Sequence, residues 1–173
     1  MQPLADVADL RRLTGAAWAD ESAAAAALAA ASGQVRTYCG WAITAESNVT
    51  AVVDSDGGRV VTIPCLHVTA VHSVTAGGSP VTDHEWSASG VLFRRAGWPA
   101  GMRAVSVVYS GGHTDTPPEL IAVVCGLASR LTVPAGVASW SVGSQTVTYN
   151  SEAAPGLATV EQAVLDRYRI YGS

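Results

Sequence analysis

His113 and Asp115 stand two residues apart, and an imidazole beside a carboxylate is the pairing that general bases and activated nucleophiles use. The carboxylate orients the ring while the ring takes a proton. Here the pair follows Gly111-Gly112 and precedes Thr116-Pro117-Pro118. The reading the sequence favours is therefore a Gly-rich strand-to-helix turn whose polar side chains bond to its own backbone. Asp83-His84-Glu85 offers three metal-ligand types in a row, but successive strand residues point to opposite faces and do not easily converge, so a solvated loop is expected. His67 and His72 sit in an apolar strand and are expected to pack. Cys39, Cys65 and Cys125 are far apart and odd in number, with no C-x-x-C pair, so buried reduced thiols are expected rather than a disulfide framework or a zinc site. The chain has no Lys, which excludes a P-loop, and it has neither G-x-S-x-G nor G-x-G-x-x-G. The five Trp residues (18, 41, 86, 98 and 140) are scattered without interleaved Arg, which suits packing better than a base-stacking platform. No enzyme activity, cofactor or metal site is expected, and a small hydrolase using His113 and Asp115 is kept only as an alternative.

The 173 residues are 49% apolar and only 14% charged, against about 25% charged in an ordinary soluble domain. Disorder goes with high charge and few apolar residues, so a folded chain is expected, and one with much of its surface buried against something else. The net charge of −4 argues against a protein that wraps nucleic acid. The longest strictly apolar run, Ala23 to Ala31, has nine residues, short of the roughly 20 that cross a bilayer. No membrane association and no signal peptide are expected.

These residues must be positioned by elements that read helix, strands, helix. Leu4, Val7, Ala8 and Leu10 mark one face of a first helix ended by Gly15, and Asp20 caps an Ala-rich second helix running to Gly40. The period then changes to two. Strands are expected over 49–53, 59–63, 67–75, 85–87, 91–93 and 104–109, as an antiparallel sheet or small barrel inserted between helices. Val105, Val107 and Tyr109 share one face. Thr116-Pro117-Pro118-Glu119 combines an N-cap, a first-turn proline and a capping-box Glu ahead of an apolar stripe (Leu120, Val123, Val124, Leu127, Leu131) that Pro134 stops. An extended segment is expected over 145–149, then a last helix from Thr159 with Gln162 as capping partner. The organisation is 1–46 N-terminal helices, 47–112 inserted β-domain, 113–134 third helix, and 135–173 extended segment with a C-terminal helix.

This order resembles the head-to-tail adaptor (head-tail connector) proteins of long-tailed double-stranded DNA bacteriophages, especially those of actinobacterial hosts. The resemblance is carried by Ala5-Asp6-Val7-Ala8-Asp9-Leu10 with Leu13-Thr14-Gly15; by Val35-Arg36-Thr37-Tyr38-Cys39-Gly40-Trp41; and by Val60-Val61-Thr62-Ile63-Pro64 before Val68-Thr69-Ala70-Val71. It continues in Val107-Val108-Tyr109-Ser110-Gly111-Gly112-His113 before Thr116-Pro117-Pro118-Glu119-Leu120, in Ser141-Val142-Gly143-Ser144, and in Leu165-Asp166-Arg167-Tyr168-Arg169. Cys65 departs from the family pattern, where an apolar residue or Pro is more usual.

The resemblance implies an α+β fold, mainly a helical bundle of about four helices with an inserted antiparallel β-sheet domain. It implies a structural virion neck protein that forms a homo-oligomeric ring, commonly of twelve subunits, under the portal protein. Such a ring extends the DNA channel and receives the stopper; another neck part, a stopper or tail terminator, is the alternative. Portal contact is expected from the C-terminal segment: Leu157, Val160, Val164, Leu165, Arg167, Tyr168, Arg169 and Tyr171. Packing between subunits is expected from the Ala-rich helix through Ala24, Ala27, Leu28, Ala31 and Val35. Asp54, Asp56, Asp83 and Glu85 are expected to line the channel, where acidic groups let double-stranded DNA pass without binding.

Overall fold

The computed structural model describes residues 2–15, 20–131, 139–142, 145–148 and 156–170. The chain divides into two compact units: a helical one from 1–38 and 117–167, and a strand-rich one from 39–116 and 168–173.

The helical unit holds α1 (Val7–Thr14), α2 (Glu21–Cys39, whose last residue belongs to the other unit), α3 (Pro118–Leu131) and α4 (Thr159–Leu165), the last continued by a 3-10 turn over Asp166–Tyr168. Local chemistry sets the helix starts. The Asp6 carboxylate accepts the Asp9 N–H at 2.7 Å while Asp9 accepts that of Asp6 at 3.2 Å, and Gly15 ends α1 at φ 65°. Asp20 accepts the Ser22 and Ala23 N–H groups at the head of α2. The Pro117 carbonyl accepts from Leu120 and Ile121, so α3 is capped at Pro117, one residue beyond the expected Thr116. In α4 the capping partner is Glu161 rather than Gln162. Glu161 accepts the Ala158 N–H at 2.8 Å and pairs with Arg130 of α3 at 2.7 Å, a tertiary contact that fixes the helix start. Gln162 instead donates to the Leu157 carbonyl. Leu10, Leu28, Val35, Leu120, Val124, Leu127 and Leu165 form the core. Ser32, also buried, is satisfied by donating to the Leu28 carbonyl and accepting from the Leu4 N–H.

The same stretch of chain that reads as period two folds as two antiparallel sheets rather than a closed barrel. The first has the order β1 (Glu46–Ser55), β7 (Gly101–Gly111), β3 (Val68–Ala76), β4 (Ser79–Pro80); the second has β2 (Val60–Thr62), β6 (Val91–Phe93), β5 (Glu85–Trp86). Strand β7 is the spine of the first sheet, bonded to β1 on one side and β3 on the other, and its Val105, Val107 and Tyr109 are buried on one face. Strand β4 was not expected. It follows the Gly77-Gly78 turn, whose two positive φ values turn the chain tightly back on β3. Two short strands, β8 (Ser139–Val142) and β9 (Gln145–Thr148), pair with each other as an antiparallel hairpin. Pro134, Gly143, Ser144 and Tyr149 lie outside the described residues. Helix and strand are present in comparable amounts, so the fold is α+β, and the expected predominance of helix gives way to an even balance because 46–111 folds almost wholly as strands and turns. No helix among the described residues is long and apolar enough to cross a membrane.

Candidate functional site

The turn after β7 was the first candidate for chemistry. The His113 N–H donates to the Ile43 carbonyl at 2.7 Å and its carbonyl accepts from Ala45 at 2.9 Å, forming a short parallel bridge with Thr44. Gly112 makes that approach possible. Its φ is 98°, and a Cβ on it would stand 2.1 Å from the Thr44 oxygen. The His113 ring stacks on His67 with centroids 4.5 Å apart, and Trp41 and Tyr168 lie 6.0 and 6.2 Å away. His67 donates through Nδ1 to the Gly112 carbonyl at 3.1 Å, since a carbonyl only accepts. Trp41 donates its indole N–H to the Tyr168 carbonyl at 2.6 Å, and the Ile170 N–H bonds to the Cys39 carbonyl at 2.9 Å. The cluster is thus a packing arrangement that fastens residues 168–170 to the strand-rich unit. Asp115 lies exposed on the following bend.

Cys39, Cys65 and Cys125 are buried thiols. Burial pushes the Cys65 thiol up, against hydrogen bonds from the His67 and Gly112 backbones. Burial also pushes Tyr109 up to about 12 and Cys125 up to about 11. None of these is the profile of an activated nucleophile, which needs a lowered thiol pKa. Among the described residues no group of three His, Cys, Asp or Glu side chains is placed to hold a metal ion.

The acidic candidates are all exposed and sit on the strand-rich unit. Asp56 accepts the Gly58 N–H at 2.7 Å and Asp54 accepts the Arg103 N–H, so both also hold loop backbone. Asp83 is bonded through both carboxylate oxygens to Arg94 Nε at 3.0 and 3.1 Å, which holds its carboxyl below the usual range and neutralises its charge. Glu85 lies on β5 opposite Phe93.

The residues expected between subunits, Ala24, Ala27, Leu28, Ala31 and Val35, are buried inside the helical unit itself. Their i, i+3, i+4, i+7 spacing is that of any core-facing stripe. The face of α2 left open is the opposite one, with Ala25, Ala26, Ala29, Ala30 and Gly33. The C-terminal candidates divide in the same way. Leu165 is fully buried in its own unit and is taken up by the core; Leu157 and Val164 are half-buried; Val160 is 78% exposed. Arg167 and Arg169 are exposed, Tyr168 is half-buried, and Tyr171 lies outside the described residues.

Sequence reasoning did not find a groove of about 630 Å³ beside β1 and β2, lined by Val52–Asp56, Val60–Pro64 and Ile170. Val52 and Val60 are 42% and 51% exposed there. Its apolar walls appear in the sequence as the β-branched residues Val52, Val53 and Val60–Ile63, which read equally well as core.

No family model matches the chain, and no characterised protein matches it by sequence. Solved structures match it by fold. A chain from the neck of an empty gene transfer agent particle, computed with C6 symmetry, aligns over 96% of this chain and 88% of its own length at 18% identity and a TM-score of 0.61. One from the neck of the native particle, computed with C12 symmetry, aligns over 96% and 89% at 15% identity and the same TM-score. A third, from the virion of the native particle, aligns over the same shares at 15% identity and a TM-score of 0.55.

Proposed function

We propose that the chain is a structural subunit of the virion neck, a head-to-tail adaptor that assembles as a ring beneath the portal and joins the capsid to the stopper and tail. The observation that carries this reading is the likeness of fold to neck chains across nearly the whole of both chains, in particles computed with C6 and C12 symmetry. The order of motifs along the sequence supports the adaptor position over other neck parts. A chain with 14% charged residues that leaves Leu13, Val52, Val60, Trp86, Phe93, Met102 and Val160 exposed suits a subunit with neighbours on several sides. His113 and Asp115 have no catalytic role in this reading.

The C-terminal segment is the portal-docking element, through its exposed members Val160, Arg167 and Arg169 together with Leu157, Val164 and Tyr168. Leu165 anchors it from within. Of the acidic residues, Asp54, Asp56 and Glu85 are the groups proposed to face passing DNA, since the charge of Asp83 is already met by Arg94.

Co-expression with the portal protein of the same genome tests the reading, with the complex isolated on the portal and imaged by electron microscopy. The adaptor reading expects a ring of this chain on one pole of the portal. Val160→Glu together with Arg167→Glu should abolish docking while leaving the circular dichroism spectrum and melting temperature unchanged. A double variant that docks as well as the parent removes the C-terminal assignment, and a chain that never co-purifies with portal removes the adaptor reading.

A further inference from the structure

A closed ring needs two unlike surfaces on each subunit, because head-to-tail contacts join one patch to a different one. The first is on the strand-rich unit. Strand β1 is the outer strand of its sheet, with β7 on one side and no ladder partner among the described strands on the other. Irregularities at Glu46/Val49 and Val53/Ser55 bound a regular stretch, Val49–Val53. That stretch has no charge and no proline, two of the usual protections of an open edge, and the irregularities lie only at its ends. Beside it runs the groove whose far wall is β2, itself the outer strand of the second sheet. An open edge next to a groove is a template for one more strand.

The second surface is the β8–β9 hairpin. Its two four-residue strands bond to each other and to no other described strand, and a lone two-stranded hairpin is marginal in water. Four residues match the five of the regular β1 stretch. The hairpin is joined to α3 by the seven residues 132–138 and to α4 by the ten residues 149–158. A chain of seven residues can span at most about 25 Å.

We infer that the β8–β9 hairpin of one copy adds to the open β1 edge in the β1–β2 groove of the next copy, and that this strand addition is the contact that closes the ring. The inference rests on the ring reading and supplies its subunit contact.

Disulfide trapping between two separately tagged single variants tests it. Val52→Cys places a thiol in the groove, and Thr146→Cys or Ser141→Cys places one on the hairpin, while the three native thiols are buried. The variants are mixed during assembly on the portal, oxidised, and read by tag on a denaturing gel. The expected result is a dimer carrying both tags, lost when either variant is assembled alone. Rings that assemble without the mixed dimer overturn the inference and leave the ring reading standing. Val52–Val52 crosslinks overturn it in favour of two-fold β1 pairing. Mixtures that form no ring on portal overturn the ring reading, and the inference with it.

Discussion

Replacing Gly112 by Ala should strongly destabilise the strand-rich unit. Gly112 has φ 98°, where an L side chain costs about 1–3 kcal/mol. The added Cβ would lie 2.1 Å from the Thr44 oxygen, 2.5 Å from its carbon and 2.8 Å from the Ala45 nitrogen, all backbone atoms that cannot swing aside. Relief requires the 43–45 segment and the turn to part, which breaks the His113–Ile43 and Ala45–His113 hydrogen bonds at about 0.5–1.5 kcal/mol each. The sum is about 2–6 kcal/mol, or about 4–24 °C in melting temperature at the 2–4 °C per kcal/mol of a chain of this length. Gly78→Ala is the matched control. Its φ is 82° but no atom lies within 4 Å of the added methyl, so only the strain remains. Thermal and urea denaturation followed by circular dichroism measure both variants. A Gly112→Ala variant within 1 kcal/mol of the parent, or equal to Gly78→Ala, would refute the argument from close backbone approach.

Leu165→Ala should cost about 2–5 kcal/mol by urea denaturation, since the side chain is fully buried; an effect under 1 kcal/mol would put Leu165 at the surface. Arg94→Met should raise the Asp83 pKa toward its ordinary value in a carboxylate NMR titration, because the guanidinium bonds are what lower it. Stability should fall as pH rises from about 9 to 11: the unfolded chain loses its Cys125 proton near 8.5 while the folded chain keeps it to about 11, so the native state binds more protons across that window. In native protein at pH 8 the three thiols should resist a thiol reagent that labels all three in urea.

Local signals in the sequence carried further than long-range ones. Asp6, Gly15 and Asp20 mark helix ends through bonds to neighbours only a few residues away, and the alternation of Val105, Val107 and Tyr109 is a property of one strand. The division of the strands into two sheets is not local. Strand β2 pairs with β6 some thirty residues on, while β1 and β3 both pair with β7, and nothing in any one strand states its partner. α4 starts at Thr159 as expected, but its capping partner is Glu161 rather than Gln162, because Glu161 answers to Arg130 on another helix. The Ala24–Val35 stripe shows the limit most plainly: a periodic apolar face says that something covers it, and here the covering surface is the subunit's own core. The groove beside β1 was hidden for the converse reason, because Val52 and Val60 read as core residues.

Electron microscopy of the chain assembled with its portal protein tests the central claim most directly. The account predicts a closed ring of this chain at one pole of the portal, coaxial with the channel, with the strand-rich unit of each copy meeting the hairpin of the next. A chain that stays monomeric in the presence of portal, or one found elsewhere in the particle, would contradict it.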